Sequence, residues 1–111
     1  MRVILDVSED VRATPSDIAK ELDIYWPFSE GFTVDCINEI YSTKNLHVMV
    51  SSAKCINDYL QAVSRLAANE KCSLSQRAVL ENHYEVEKIC FAANLYFRML
   101  ELYEEGFNDE D

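Results

Sequence analysis

Apolar side chains in residues 74–105 recur at steps of three and four, the longest regular pattern in the chain. Val79, Val86, Ile89, Ala93, Tyr96, Leu100 and Tyr103 form one stripe. Leu80, Tyr84, Phe91, Leu95, Met99 and Leu102 form a second, and Cys90 and Phe97 fill the gap between them. Glu87, Asn94, Arg98, Glu101 and Glu105 are left as one narrow polar ribbon. This spacing predicts an α-helix. Ser73 with Gln76 three residues on supplies a capping box at its start, and Gly106 is a natural stop. A surface helix ordinarily shows about one apolar face, whereas this one is apolar around most of its circumference. Either it is the centre of a monomeric bundle, or part of its surface buries against another chain, as in a homodimer through residues 79–103.

Shorter patterns precede it. Residues 2–7 alternate, with Val3, Leu5 and Val7 on one side, and predict a short strand. Thr14-Pro15-Ser16-Asp17 predicts a helix start. Thr14 is the cap, Pro15 the first helical residue, and Asp17 sits in the electropositive first turn. Ile18, Ala19 and Leu22 give that helix an apolar face, and it should run to about Asp23. The aromatic segment Tyr25-Trp26-Pro27-Phe28 follows, and Pro27 disfavours helix in the residue before it. Thr33 is the expected cap of a second helix with Val34, Ile37, Ile40 and Tyr41 on its face, ending near Ser42. Residues 43–45 are turn-like. Leu46–Val50 reads as a strand or extended segment pairing with residues 2–7, the alternative being a lead-in to the next helix. Ser52 is then the expected cap of a third helix over 53–69, striped by Ile56, Tyr59, Leu60, Val63, Leu66 and Ala67.

The expected fold is therefore mainly α. It is a four-helix bundle-like single domain over residues 1–107, with a short N-terminal β-strand, a long central C-terminal helix, and an acidic tail at 108–111. A chain of 111 residues, 49% of them hydrophobic, can build its own core. With two Gly in the whole chain, phosphate-cradling loops are off the menu.

Charge narrows the function classes. A formal net charge of −10 opposes direct contact with nucleic acid, which needs clustered Lys and Arg. It equally opposes an anionic membrane surface, and no run is apolar enough to span a bilayer. The acids cluster at the ends, and the middle is mildly basic through Lys44, Lys54, Arg65, Lys71 and Arg77. That layout is ordinary surface charge, an acidic docking face, or a basis for head-to-tail pairing between subunits. Cys36, Cys55, Cys72 and Cys90 include no CxxC pair. The opening Met1–Leu5 runs straight into Asp6, unlike a signal peptide. Free thiols in a reducing cytoplasm are expected.

Candidate chemistry is sparse. His47 and His83 have no ligand partner at a familiar metal spacing, so neither a metal nor a cofactor is expected. Cys36, near the start of the second helix, is the best nucleophile on offer because a helix dipole can lower a thiol pKa. No local signature supports it, and no catalytic residue is assigned. Asp17–Leu22 followed by Thr33–Ile37 resembles a helix-turn-helix with an enlarged turn. Its second helix, however, offers Asp35, Asn38 and Glu39 where phosphate contacts would need bases. Two packed helices are the better reading.

Val3–Val7 followed by Ala13-Thr14-Pro15-Ser16-Asp17-Ile18-Ala19 resembles a recurrent opening among small phage and prophage accessory proteins. The resemblance covers the first quarter of the chain, and Tyr25–Phe28 stands where an acidic segment is usual. It implies a viral or mobile-element accessory protein, working in the bacterial host cytoplasm if phage-encoded.

Together these features point to an acidic, non-enzymatic, protein-binding inhibitor. It would be an anti-defence protein of the nucleic-acid-mimic or anti-CRISPR type, blocking a basic surface of a nucleic-acid-binding defence protein. The expected contacts are Glu9, Asp10, Asp17, Glu21, Asp23, Tyr25, Trp26, Glu101, Glu104, Glu105, Asp109, Glu110 and Asp111. Aromatics join the acids because they dominate interface hot spots, although Tyr25–Phe28 equally suits core packing. Three other readings stand beside this one. They are an oligomeric sponge or sensor holding a small anion or nucleotide in the basic middle, an immunity protein or antitoxin, and a transcription regulator.

Overall fold

The computed structural model describes residues 13–106. Four helices follow one another: α1 (Pro15–Glu21), α2 (Phe32–Ser42), α3 (Leu46–Ala67) and α4 (Leu74–Glu105). The described residues contain no strand. The strand expected over 2–7 and the tail at 108–111 lie outside them.

The helix ends follow from their capping chemistry. Thr14 Oγ1 accepts from the Asp17 N–H at 3.1 Å, and the Asp17 carboxylate accepts from the Thr14 N–H at 3.1 Å, a complete capping box with Pro15 behind it. α1 closes in a Schellman turn. Asp23 takes φ 54°, its N–H bonds the Lys20 carbonyl at 3.1 Å, and the Ile24 N–H reaches back to Ala19 at 2.8 Å. Ser73 and Gln76 form the expected box at the start of α4, and the Gly106 N–H bonds the Leu102 carbonyl at its end.

Two starts differ from expectation. α2 begins after Gly31 with no side-chain cap, and Thr33 sits inside the helix with its hydroxyl turned to Glu87. Leu46–Val50 is helical and not extended. Asn45 caps α3 by accepting from the His47 N–H at 2.8 Å and the Val48 N–H at 3.3 Å. Thr43 Oγ1 in turn holds the Asn45 N–H at 3.0 Å. Ser52 is thus no cap but a buried residue on the inner face of α3, in helical register with Met49 and Ile56. That register decided the segment: as a helix it puts Met49 in the core, at 1% exposure.

α3 and α4 form the most extensive pair, and α2 and α1 pack across them. The core is two adjoining clusters. Ile18, Ala19, Tyr59, Val63, Leu66 and Leu80 lie beneath α1. Ile37, Ile40, Met49, Ile56, Phe91 and Leu102 lie beneath α2. Each such buried aliphatic or aromatic side chain contributes about 1.5–3 kcal/mol. The described residues measure 47 × 25 × 18 Å, and the long dimension is the length of α4.

The long helix is therefore not wrapped on all sides. Its neighbours pack on one side, and the side chosen is not the stripe that carries Ile89, Tyr96 and Tyr103.

Candidate interaction surface

The polar ribbon of α4 faces inward, and one of its apolar stripes faces out. Asn94 is 0% and Arg98 7% exposed, whereas Tyr103 is 85%, Tyr96 62% and Ile89 57% exposed. Leu100 and Met99 are exposed on the same side. The second stripe, through Leu80, Phe91 and Leu102, supplies the core.

The buried ribbon survives because every group in it is paired. Arg98 Nε donates to the Ile40 carbonyl at 3.2 Å and Nη2 donates to the Thr43 carbonyl at 2.8 Å. α2 has no basic residue in its own last turn, so α4 provides the cation for its C-terminus. The guanidinium also meets Glu101 at 3.4 Å and lies 5.8 Å from the Tyr41 ring centroid. The Tyr41 hydroxyl donates towards Asn94 Oδ1 at 3.3 Å, while Asn94 Nδ2 donates to the Cys90 carbonyl at 2.8 Å. Arg77 repeats the device at the end of α3, where its Nε donates to the Ala67 carbonyl at 2.9 Å.

Glu87 is the half-buried acid of the ribbon that faces α2 and α3. It accepts from the Tyr59 hydroxyl at 3.0 and 3.2 Å and from Thr33 Oγ1 at 3.1 Å, joining α4 to α3 and to the first turn of α2. Burial raises its pKa above 4.5, with the Tyr59 and Thr33 hydrogen bonds and nearby His83 pulling the other way. The Tyr59 hydroxyl is raised too, by burial and by the Glu87 charge. His83 Nε2 lies 3.0 Å from the Ala13 carbonyl, which can only accept, so that nitrogen carries the hydrogen. Sequence reasoning did not single out Glu87 with Tyr59 as a partnership. The two stand 28 positions apart on different helices, and no local spacing could have joined them.

The expected contact residues fall into separated groups. Glu9, Asp10, Asp109, Glu110 and Asp111 lie outside the described residues. Asp17 is occupied in the α1 cap, Glu21 accepts from Gln76 Nε2 at 3.0 Å, and Asp23 is exposed in the Schellman turn. Glu101 pairs with Arg98, Glu105 reaches Lys44 at 3.7 Å, and Glu104 is exposed. The α1 acids sit beside Gln76, and the other three lie about 37 Å further along α4, so one chain does not gather them into a single patch.

The aromatic segment is split the same way. Tyr25 is 85% exposed. Trp26 turns inward against Phe28 and Tyr59, with ring centroids 5.3 and 6.0 Å away, and Phe32 stacks on Tyr59 at 5.5 Å. An open groove runs between Tyr25–Phe28 and the α3 side chains Asp58, Gln61 and Arg65.

The basic middle does not converge either. Lys44 and Arg77 are engaged as above, and Lys54 and Arg65 lie eleven positions, roughly 16 Å, apart on α3. Among the described residues, no group of three or more His, Cys, Asp or Glu could hold a metal ion. No helix there is long and apolar enough to cross a membrane. The Cys36 thiol is pushed up to about 11, first by burial and then by Cys55, Asp35 and Glu39. That runs against its reading as a thiol activated by the α2 dipole.

Comparisons bring no relative. No family model, curated protein or solved structure matches the chain. The surface must therefore be read on its own chemistry.

Proposed function

We propose that the protein is a stoichiometric, non-enzymatic inhibitor that occupies a basic surface on another protein. The targets in view are nucleic-acid-binding proteins such as defence nucleases, CRISPR complexes or transcription proteins, with the acidic chain taking the place of nucleic acid. The observation that carries this reading is where the cations go. Two of the ten Lys and Arg are spent on helix ends, Arg98 buried at the end of α2 and Arg77 half-buried at the end of α3. What an approaching partner meets is dominated by acids. Glu104 and Asp23 stand exposed at opposite ends of α4's length, beside exposed Tyr103 and Tyr25 respectively. Acid beside exposed aromatic suits a protein contact whose core is aromatic and whose rim is charged. Such charges chiefly speed association, and salt screens them.

The test is a tagged copy passed through bacterial lysate at low salt and eluted with a salt step, run beside an Asp23→Lys, Glu104→Lys variant. A basic nucleic-acid-binding protein held by the wild type, released by salt and lost by the variant, supports the reading and names the target. Retention that is indifferent to salt and to both substitutions removes it.

A further inference from the structure

The outward stripe of α4 goes beyond that reading: it meets the acidic surface at Tyr103 and Glu104, but most of it, from Val86 to Leu100, plays no part there, and the pairing argued from it stands whatever the target is. Val86, Ile89, Ala93, Tyr96, Leu100 and Tyr103 follow one another at three, four, three, four and three residues. That is the a/d spacing of a helix-pairing seam. The seam lies opposite the face that carries Leu80, Phe91, Asn94, Arg98 and Leu102, and among the described residues Ile89, Tyr96, Leu100 and Tyr103 in it are left exposed. From Ile89 to Tyr103 the outer face holds no charged residue, while Lys88 and Glu104 stand just past its two ends.

We infer that the Ile89–Tyr103 face of α4 binds the same face of a second copy, antiparallel, about a two-fold axis near Tyr96. Area supports this choice of occupant. Covering the exposed parts of Ile89, Tyr96, Met99, Leu100 and Tyr103 removes about 500–600 Å² per chain. A symmetric pair then buries on the order of 1,000–1,200 Å², which clears the roughly 1,000 Å² a specific interface needs and sits at the small end of stable ones. A two-fold pair also needs no property the chain lacks, since the face is its own complement. Charge sets the orientation. A parallel pair would place Glu101, Glu104 and Glu105 of both chains side by side and align the helix dipoles. The antiparallel pair separates those acids and opposes the two helix dipoles, with Ile89 at the level of the copy's Tyr103.

Sedimentation of the purified full chain at tens of micromolar, beside Tyr96→Glu and Leu100→Lys variants, tests the pairing. Both substitutions lie outside the core, and circular dichroism checks that each variant keeps its helices. The expected result is a wild-type dimer and folded, monomeric variants, with the dissociation constant raised a hundredfold or more. Orientation is read by oxidation in a Cys55→Ser background. Ile89→Cys mixed with Tyr103→Cys should cross-link between the two variants, and neither should cross-link to itself. A wild-type monomer overturns the inference and leaves the face to a different protein or to another segment of this chain. Self-cross-linking of Ile89→Cys alone shows a parallel pair and overturns it as well.

Discussion

Arg98 on α4 donates to the carbonyl of Thr43 at 2.8 Å, and through that contact one helix finishes the C-terminus of another. The bond is one of three from a side chain only 7% exposed. Removing it leaves the Ile40 and Thr43 carbonyls buried without their donor, and buried unpaired acceptors are costly. Arg98→Ala should therefore lower unfolding stability by about 2–4 kcal/mol in a urea titration. Arg98→Lys should recover little of it, since an ammonium cannot span both carbonyls as the planar fork does. A loss below about 0.5 kcal/mol, as for an ordinary surface residue, would remove Arg98 from this role.

Glu87 makes stability depend on pH in a direction opposite to most carboxylates. Its folded-state pKa is raised above 4.5, chiefly by burial, so the folded chain holds that proton more tightly than the unfolded chain does. Its contribution is fully present below 4.5 and is lost as pH rises through the folded value. The difference in stability between wild type and Glu87→Gln isolates this group from the other acids. Wild type should lose stability relative to the variant as pH rises from 4.5, then level off. A gain over the same window would mean that the Tyr59 and Thr33 hydrogen bonds outweigh burial.

The start of α3 gives a paired test. Asn45 caps it through two backbone N–H groups, and Ser52 lies about two turns further in. Asn45→Ala should cost about 1–2 kcal/mol. Ser52→Ala should stay within about 0.5 kcal/mol or stabilise, because alanine is the better interior residue of a helix. If the two costs were exchanged, the helix would start at Ser52 and Leu46–Val50 would be extended after all.

How far these features could be read in advance depended on their range along the chain. The α1 and α4 starts were legible because their capping signals are written within four residues: Thr14 as cap with Pro15 and Asp17 behind it, and the Ser73–Gln76 box. Leu46–Val50 was not, since a five-residue apolar run fits both periods and only the burial of Met49 separates them. The same limit governs α4. Its spacing gave two apolar stripes and a polar ribbon, but nothing local says which of the three turns inward. The polar ribbon wins part of the interior because Ile40, Thr43, Tyr59 and Thr33, all distant in sequence, supply its partners. The acids expected to act together were chosen by charge alone. Charge does not report that α1 sits beside the start of α4 and Glu104 near its end.

The cysteines provide a chemical check on the α2–α3 contact. Thiolate is the reacting form, so a thiol pushed up to about 11 is almost wholly protonated at neutral pH. Cys36 is also half-buried, while Cys55 is exposed and Cys72 and Cys90 are buried. Brief alkylation of the native protein at pH 7–8, followed by peptide mass mapping, should label Cys55 first and leave Cys36 nearly untouched. In denaturant all four should react at similar rates, because the burial that raises Cys36 is gone. Preferential labelling of Cys36 in the native protein would restore it as an activated thiol, with the α2 dipole overcoming burial and the charges of Asp35 and Glu39.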